Sequence, residues 1–201
     1  STYGRAKETA YALGRALKEI KLDLEHAFCG ASNAAVGGDA TTAREMASAD
    51  QLIHADVTKD AGAGATDALT EAKLNELGQA VYEEGGEPSV FMIKPADSLI
   101  VAGFTGSAGR TRTFNDDTST LTNVIDLLVT PFGQYKVVLN RVQMSTHAFL
   151  LDPSMWRTAS LRPFSRTLLA KTGDSEKHFV VGEMGLMHLN QKASGQITGL
   201  S

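Results

Sequence analysis

A glycine-rich stretch in the middle of the chain contains residue types that bind phosphate in other proteins. Residues 103–110 read GFTGSAGR. A phosphate-binding loop needs a glycine-rich turn that ends in Gly-Lys-Ser or Gly-Lys-Thr before a helix, so that backbone amides and the lysine surround the phosphate. Here Gly109 is followed by Arg110-Thr111-Arg112, and no helical pattern comes next. The stretch therefore favours a polar loop with solvated arginines over a nucleotide site.

Neighbouring carboxylates and five histidines are the candidates for a metal site. Asp116 and Asp117 could bind a hard cation, but a calcium loop needs several oxygen ligands at regular spacing, so a solvated turn is favoured. No two histidines show the one-turn helical spacing of a zinc protease, and there is no cysteine pair; the histidines are His26, His54, His147, His178 and His188. The last two could share a sheet face, where packing is favoured over metal binding.

The candidate nucleophiles lack the partners that catalysis requires. Cys29 lies at the end of an apolar helical stripe, which indicates a small buried side chain and not a thiolate. Ser154, Ser160 and Ser165 have no Gly-x-Ser-x-Gly frame. We therefore predict no catalytic residues, no cofactor-binding residues and no metal ligands, and a protein that is not an enzyme. A small metal-dependent hydrolase that uses the polar residues 106–120 is the alternative.

The composition indicates an ordinary globular protein. Its 201 residues, 42% hydrophobic and 21% charged, suffice for one domain or two small lobes. The net charge of −4 argues against a nucleic-acid binder. The alternative of a nucleic-acid-binding module rests on five arginines: Arg110, Arg112, Arg157, Arg162 and Arg166. No apolar run is long enough to span a bilayer, and a single cysteine excludes an internal disulfide, so synthesis in the cytoplasm is expected.

The clearest predicted element is a long helix at the start of the chain. Apolar residues at steps of three and four form one narrow stripe: Tyr3, Ala6, Ala10, Leu13, Leu17, Ile20, Leu24 and Ala27. Such a helix lies along the rest of the molecule, and Gly30 is expected to end it. Residues 30–65 are rich in small and polar residues, which predicts a long surface loop with one short helix near 42–48.

The rest of the chain alternates helix signals with strand signals. A second helix is predicted from a Thr70 cap to Gly85-Gly86, and a third is opened by Pro95. Apolar alternation on both sides of Pro131-Phe132-Gly133 predicts a β-hairpin. Further strands are expected at 90–93, 148–152, 161–169 and 179–189. Helices early and strands late indicate an α+β fold and not a doubly wound sheet.

Four groups of residues match one known family in order and spacing. They are the opening helix; EGGEP at 84–88 with VFMIKP at 90–95; NVID at 123–126 with VTPFG at 129–133; and FLLDP at 149–153 with Trp156, LRPF at 161–164 and LAKTGD at 169–174. Together they resemble the major capsid proteins of tailed bacteriophages, which have the Hong Kong 97-type shell fold. The fourth group is the most specific of the set.

The resemblance implies a long spine helix, a peripheral β-sheet and an axial lobe of helices with a small sheet. It places the spine helix and a surface loop of the peripheral lobe at 1–66, an axial-like lobe at 67–145, and C-terminal strands that return to the peripheral lobe at 146–201. The implied function is that of a structural phage capsid subunit, which self-assembles into hexamers and pentamers of an icosahedral shell enclosing DNA.

The implied partners are copies of the chain itself in the virion capsid. Scaffolding, portal or decoration proteins and non-specifically held DNA would join them, and no membrane is involved. Family members carry an N-terminal arm and an extended hairpin before the spine helix, and this chain is expected to lack both. Trp156 is expected in the core, with an anchor between subunits as its alternative role. The shell of an encapsulin-like nanocompartment is the alternative function within the fold.

Overall fold

The computed structural model describes residues 8–62, 67–104, 127–171, 173 and 177–201. The gap at 105–126 contains the predicted loop at 106–120, the Asp116-Asp117 pair and two of the candidate arginines. Those predictions therefore lie outside the described residues, as does the part of the first helix before Glu8.

The first helix, α1, spans Glu8–Glu25 and continues as one π-helical turn, His26–Gly30. None of its residues is fully buried, although several members of the predicted stripe are half-buried. The helix ends at Gly30, as predicted. A Cβ atom at this position would lie 2.6 Å from the carbonyl oxygen of Val142, so glycine allows the helix end to approach the body closely.

The body is built on one mixed six-stranded sheet. Its strands are β1 (Thr58–Asp60), β2 (Val90–Ile93), β3 (Leu127–Thr130), β4 (Gly133–Leu139), β5 (Ala148–Leu151) and β8 (Gly195–Thr198). Their order in the sheet is β1-β8-β5-β2-β4-β3. The pairs β1–β8 and β2–β4 are parallel and the others antiparallel. The predicted hairpin and the strands near 90–93 and 148–152 are confirmed.

Helix α3 (Glu71–Glu83) covers one face of this sheet. Its buried stripe is the predicted one: Leu74, Leu77 and Val81. The Thr70 hydroxyl accepts a hydrogen bond from the Lys73 amide at 3.3 Å, which confirms the predicted cap. Fully buried sheet residues complete the core: Phe91, Tyr135, Leu150 and Ile197. Burial of each large apolar side chain stabilises the fold by about 1.5–3 kcal/mol.

The opposite face of the sheet is covered over only part of its width. Near β5 and β8 it packs under the short helix α2 (Ala49–Leu52), where the Gln196 side-chain amide donates to the Asp50 carbonyl at 3.1 Å. In register, Leu151 pairs with Val90, Val90 with Lys136 and Lys136 with Leu127, so these residues share that face. Leu127 is half exposed, so the cover that the described residues provide stops before the β3 edge.

The remaining two strands form a separate antiparallel sheet, called the ribbon below. It consists of β6 (Trp156–Leu168) and β7 (His178–His188) and confirms the strands predicted at 161–169 and 179–189. Register runs from Trp156 opposite His188 to Leu168 opposite His178, with shifts on either side of Arg162. Such irregularities bend a strand and increase its twist.

Helix α4 (Ser98–Ala102) follows a 3₁₀ turn over Pro95–Asp97, as the position of Pro95 predicts. The short helix predicted near 42–48 is wrong. The Val36 amide and carbonyl instead pair with those of Glu45 in an isolated bridge. The Asp39 carboxylate accepts from the Thr41 and Thr42 amides at 2.7 Å, so the chain turns where a helix was expected.

Strands β1 and β8 have no counterpart in the sequence prediction. With them, the six-stranded sheet contains β1 from segment 1–66, β2, β3 and β4 from segment 67–145, and β5 and β8 from segment 146–201. The assignment of these three segments to a peripheral and an axial lobe stays a prediction.

Candidate assembly surface

The ribbon presents an unusual amount of apolar surface to solvent. Every residue of β6 after Trp156 is exposed. The exposed apolar side chains, called the ribbon surface, are Leu161, Phe164, Leu168, Leu169, Phe179, Met187 and Leu189. Leu161 is 67% exposed. A two-stranded sheet is only marginally stable alone in water, and this number of exposed apolar side chains on one element is typical of an interaction site.

The edges of the ribbon are also available. Within the described residues, neither β6 nor β7 pairs with any strand besides the other. An unpaired edge carries free backbone donors and acceptors that another chain can use. The ribbon therefore offers both backbone and apolar side chains to a partner.

Helix α1 adds a second exposed surface. Tyr11, Leu17 and Leu22 are each at least 40% exposed, whereas Leu13 and Ile20 are half-buried. The predicted stripe meets the body only at its end, where Leu24 and Ala27 line a groove, whereas Ala10 and Leu17 are exposed. A long helix without a buried residue is stabilised mainly by what packs along it, which makes α1 a second contact surface.

A groove of about 660 Å³ lies between the end of α1, the loop before α2 and the ribbon. Its lining is mostly apolar and includes Leu24, Val36, Met46, Leu161 and Met184. The charged side chains at its wall are Arg44, Glu45 and Glu183. Arg162 donates to Glu183 across the two strands, and this contact, with a smaller effect of Arg44, lowers the pKa of Glu183.

Trp156 and His188 face each other where the ribbon joins the body. Their rings stack with centroids 3.9 Å apart. Trp156 is half-buried and packs against the core, and its indole N–H donates to the Ser194 hydroxyl at 3.0 Å. Trp156 therefore packs against the core, as predicted, but at the edge of the core.

The other candidate residues do not converge on a catalytic arrangement. Burial, aided by Glu25 and Asp50, raises the pKa of the Cys29 thiol to about 11, so it stays protonated at neutral pH and is a poor nucleophile. Ser154 donates to the Asp152 carboxylate at 2.7 Å and shapes a local turn. In the described part of the chain, no three His, Cys, Asp or Glu side chains are grouped so as to hold a metal ion.

Several of the candidate histidines and arginines have separate local partners. His54 Nδ1 accepts from the Asp56 amide at 3.2 Å, which caps a 3₁₀ turn. Arg166 contacts the ring of His178 across the ribbon. Arg157 donates to the Trp156 carbonyl at 2.8 Å. Among the described residues, no helix combines the length and apolar character needed to cross a bilayer.

The sequence patterns did not reveal the ribbon surface as a functional site. Leu161, Phe164 and Leu168 fall inside a predicted strand, where apolar residues are normally assigned to a core. The one sequence signal of exposure was the set of arginine, serine and threonine residues between them. These polar residues leave the strand without a face that is apolar along its whole length. Only the separation of β6 from the six-stranded sheet exposes these side chains.

The arrangement of spine-like helix, mixed sheet and long ribbon has a counterpart among solved structures. It is similar to the cryo-EM structure of the holo-SrpI encapsulin complex from Synechococcus elongatus PCC 7942, with a TM-score of 0.58. The similarity covers 96% of this chain and 66% of that one at 13% identity, which establishes the fold alone. The fold is therefore of the Hong Kong 97 type, as the family resemblance implied.

Sequence comparisons identify the family to which this chain belongs. A family model described as SU10 major capsid protein matches residues 1–201. The major capsid protein of Escherichia phage Phieco32 is 28% identical over an alignment of 241 residues, covering 97% of this chain and 68% of that protein. The chain thus spans about two thirds of the length of these relatives. It belongs to the SU10 major capsid protein family and is a structural phage capsid subunit.

Proposed function

We propose that this chain forms the body of a subunit that assembles with copies of itself into hexamers and pentamers of an icosahedral shell around DNA. The observation that carries the proposal is the ribbon surface: its apolar side chains are exposed, and among the described residues both outer strand edges are unpaired. Burial against a second copy would remove this surface from water and give most of the association free energy.

Helix α1 and the ribbon are proposed to make the contacts between subunits. In this arrangement segments 1–66 and 146–201 contribute to a peripheral lobe, and segment 67–145 forms an axial lobe near the symmetry axis of the capsomer. Support comes from the exposed apolar residues on both elements and from the groove, where Leu24 at the end of α1 lies near Leu161 of the ribbon.

The subunit is proposed to act without catalysis, metal or cofactor, since its family is a structural one. Its partners are proposed to be further copies and, more loosely, scaffolding, portal or decoration proteins. Packaged DNA would be held without sequence preference, because the chain has more acidic than basic residues. The proposed location is the virion capsid, after synthesis in the host cytoplasm.

The test is assembly of the complete gene product that contains this chain, followed by negative-stain electron microscopy and analytical ultracentrifugation. Closed shells or capsomer rings are expected for the wild type. The variant Leu161→Asp/Phe164→Asp should lose them, since removal of one central apolar contact costs about 2 kcal/mol, roughly 30-fold in the association constant. Thr158→Asp, at another exposed site on the same strand, is the matched control and should still assemble.

Two outcomes would contradict the proposal. Failure of the wild type to assemble under any condition would remove its basis, and assembly of the double aspartate variant at wild-type yield would remove the ribbon surface from the interface. The contents of purified shells address the alternative within the fold: a protein cargo with no packaged DNA would favour a nanocompartment shell.

A further inference from the structure

The ribbon joins the body through a joint made of two aromatic rings. Trp156 is the first residue of β6 and His188 the last of β7, and the two are paired in register. Their rings stack nearly parallel, with an interplanar angle of 9°. Just beyond them, the Leu189 amide donates to the Met155 carbonyl at 2.9 Å, which closes the base of the ribbon.

Each ring is tied to a different part of the body. Trp156 donates to the Ser194 hydroxyl, which itself accepts from the Asp152 amide at 3.1 Å. His188 Nδ1 lies 3.2 Å from the carbonyl oxygen of Leu52, at the end of α2. A carbonyl oxygen can only accept, so Nδ1 carries the hydrogen and the neutral ring has its lone pair on Nε2.

The second ring nitrogen of His188 has no comparable partner. In the described part of the protein, Nε2 is buried and makes no hydrogen bond. In the neutral tautomer this costs little, since only a lone pair is left without a donor. Protonation would place an N–H and a positive charge at the same buried point, where an acceptor is missing, and that costs several times more.

The charged groups around the joint do not offset this cost. Asp152, in the turn before β6, attracts a proton to His188, but burial is the larger effect and lowers the pKa of the ring below its usual value. Asp50 on α2 accepts hydrogen bonds from Ser32 and Ser48 and is the charged partner of His147 instead. Trp156 contributes an uncharged ring, and α2 contributes a backbone carbonyl.

We propose that the stacked Trp156–His188 pair is a protonation-sensitive hinge that holds the ribbon at one angle to the six-stranded sheet. With His188 neutral, the stack and the bond to Leu52 fix the ribbon. When the pH falls through the pKa of the ring, the protonated ring leaves its site to reach water, and the ribbon, no longer fixed at its base, becomes free to turn about its contacts at the groove. This inference does not depend on assembly, because the joint lies within one chain.

The direction of the pH effect follows from linkage. A histidine whose pKa is lower in the closed joint than in water stabilises the closed form above its usual pKa. That stability is lost as the pH falls through the lowered value. Over the mildly acidic range the open joint binds the extra proton, so acid favours opening.

The test measures a distance between the ribbon and the body in the isolated chain. Spin labels are placed at Ser165→Cys on β6 and Ser89→Cys before β2, with Cys29 replaced by alanine. Ser165 is nine residues from the joint, about 30 Å of strand, so a rotation of about 20° moves it by about 10 Å. A single narrow distance is expected near neutral pH, and a shifted or broadened one near pH 5.

Trp156 is the only tryptophan, so its fluorescence reports the same joint. A one-proton change in emission should share its midpoint with the change in distance. His188→Phe keeps an aromatic stack without a titratable nitrogen and should show neither change; His188→Gln is the second variant if the first does not fold. His147→Gln, at the other half-buried histidine with a lowered pKa, should respond as the wild type does.

Three results would overturn the hinge. The first is a wild-type distance that does not change with pH. The second is an equal change in the wild type and the His188 variants. The third is a change that coincides with global unfolding measured by far-ultraviolet circular dichroism. None of these bears on shell formation, so failure of the hinge and failure of the proposed function remain distinguishable.

Discussion

Asp50 shows how one buried carboxylate can organise a long loop. Its oxygens accept from the Ser32 and Ser48 hydroxyls, both at 2.5 Å, and from the Gln51 amide at 3.1 Å. Burial alone would raise its pKa, but these hydrogen bonds and the nearby His147 together lower it. The Asp50 carboxylate therefore links the segment that follows α1 to the N-terminus of α2.

We predict that Asp50→Asn lowers the free energy of unfolding at neutral pH by about 1–3 kcal/mol, because charge-assisted hydrogen bonds weaken and an amide N–H₂ faces hydroxyl donors. A carboxylate with a lowered pKa stabilises the fold above its usual pKa and loses that effect as the pH falls. The difference between variant and wild type should thus shrink near pH 3, as measured by urea denaturation at both pH values. Asp23→Asn, exposed on α1, is the control and should change stability by less than about 0.5 kcal/mol.

At the scale of elements, the contact between α3 and β8 depends on a glycine. A Cβ atom at Gly195 would lie 2.6 Å from Leu77 Cδ1, 2.8 Å from Val81 Cγ2 and 2.9 Å from the Val57 carbonyl oxygen. The Val57 oxygen belongs to the backbone, so a change of side-chain rotamer cannot relieve this contact. Glycine at this position lets α3 pack directly on the sheet at β8.

We predict that Gly195→Ala destabilises the protein by about 1–3 kcal/mol through overpacking. Gly14→Ala is the matched control: it lies on exposed α1 with open space around it, and alanine should stabilise the helix by about 0.5–1 kcal/mol. Thermal denaturation of both variants checks the pair. Equal effects of the two substitutions would contradict the packing role of Gly195.

Elements with local signals were predictable from the sequence. The Thr70 cap, the stripe that begins at Leu74 and the glycines after Glu84 are all short-range features, and the helix they predict is confirmed. Strand β8 was not predictable, because Ile197 is its only large apolar residue and its burial comes from α3 and from strands far away in the chain. Likewise, Glu45 pairs with Val36 through the backbone, which side-chain patterns do not record.

At the scale of the whole molecule, charge limits what the subunit can bind. The net charge is −4, and Arg162 is occupied by Glu183 on the neighbouring strand. The basic residues of the ribbon are therefore partly neutralised within the chain. The body is suited to contacts with other protein surfaces, and any contact with DNA should be weak and non-specific.

We predict no saturable binding of duplex DNA by this chain at about 0.15 M salt, measured by fluorescence anisotropy. Glu183→Gln releases Arg162 and should strengthen weak low-salt binding, whereas Glu83→Gln, at an exposed residue of α3 whose side chain accepts from Gln79, should not. Tight wild-type binding whose logarithm falls linearly with that of the salt concentration would instead favour a nucleic-acid-binding module.

The order of strands in the main sheet has a consequence for synthesis. Strand β8 lies between β1 and β5, although it follows the whole ribbon in the chain. During translation β1 and β5 can therefore emerge from the ribosome and still have no strand to join them. The body closes only after the ribbon has been made, so a nascent subunit stays unfinished while its apolar ribbon is already exposed. A newly made chain can therefore associate with another as a folded subunit only after β8 has completed the sheet.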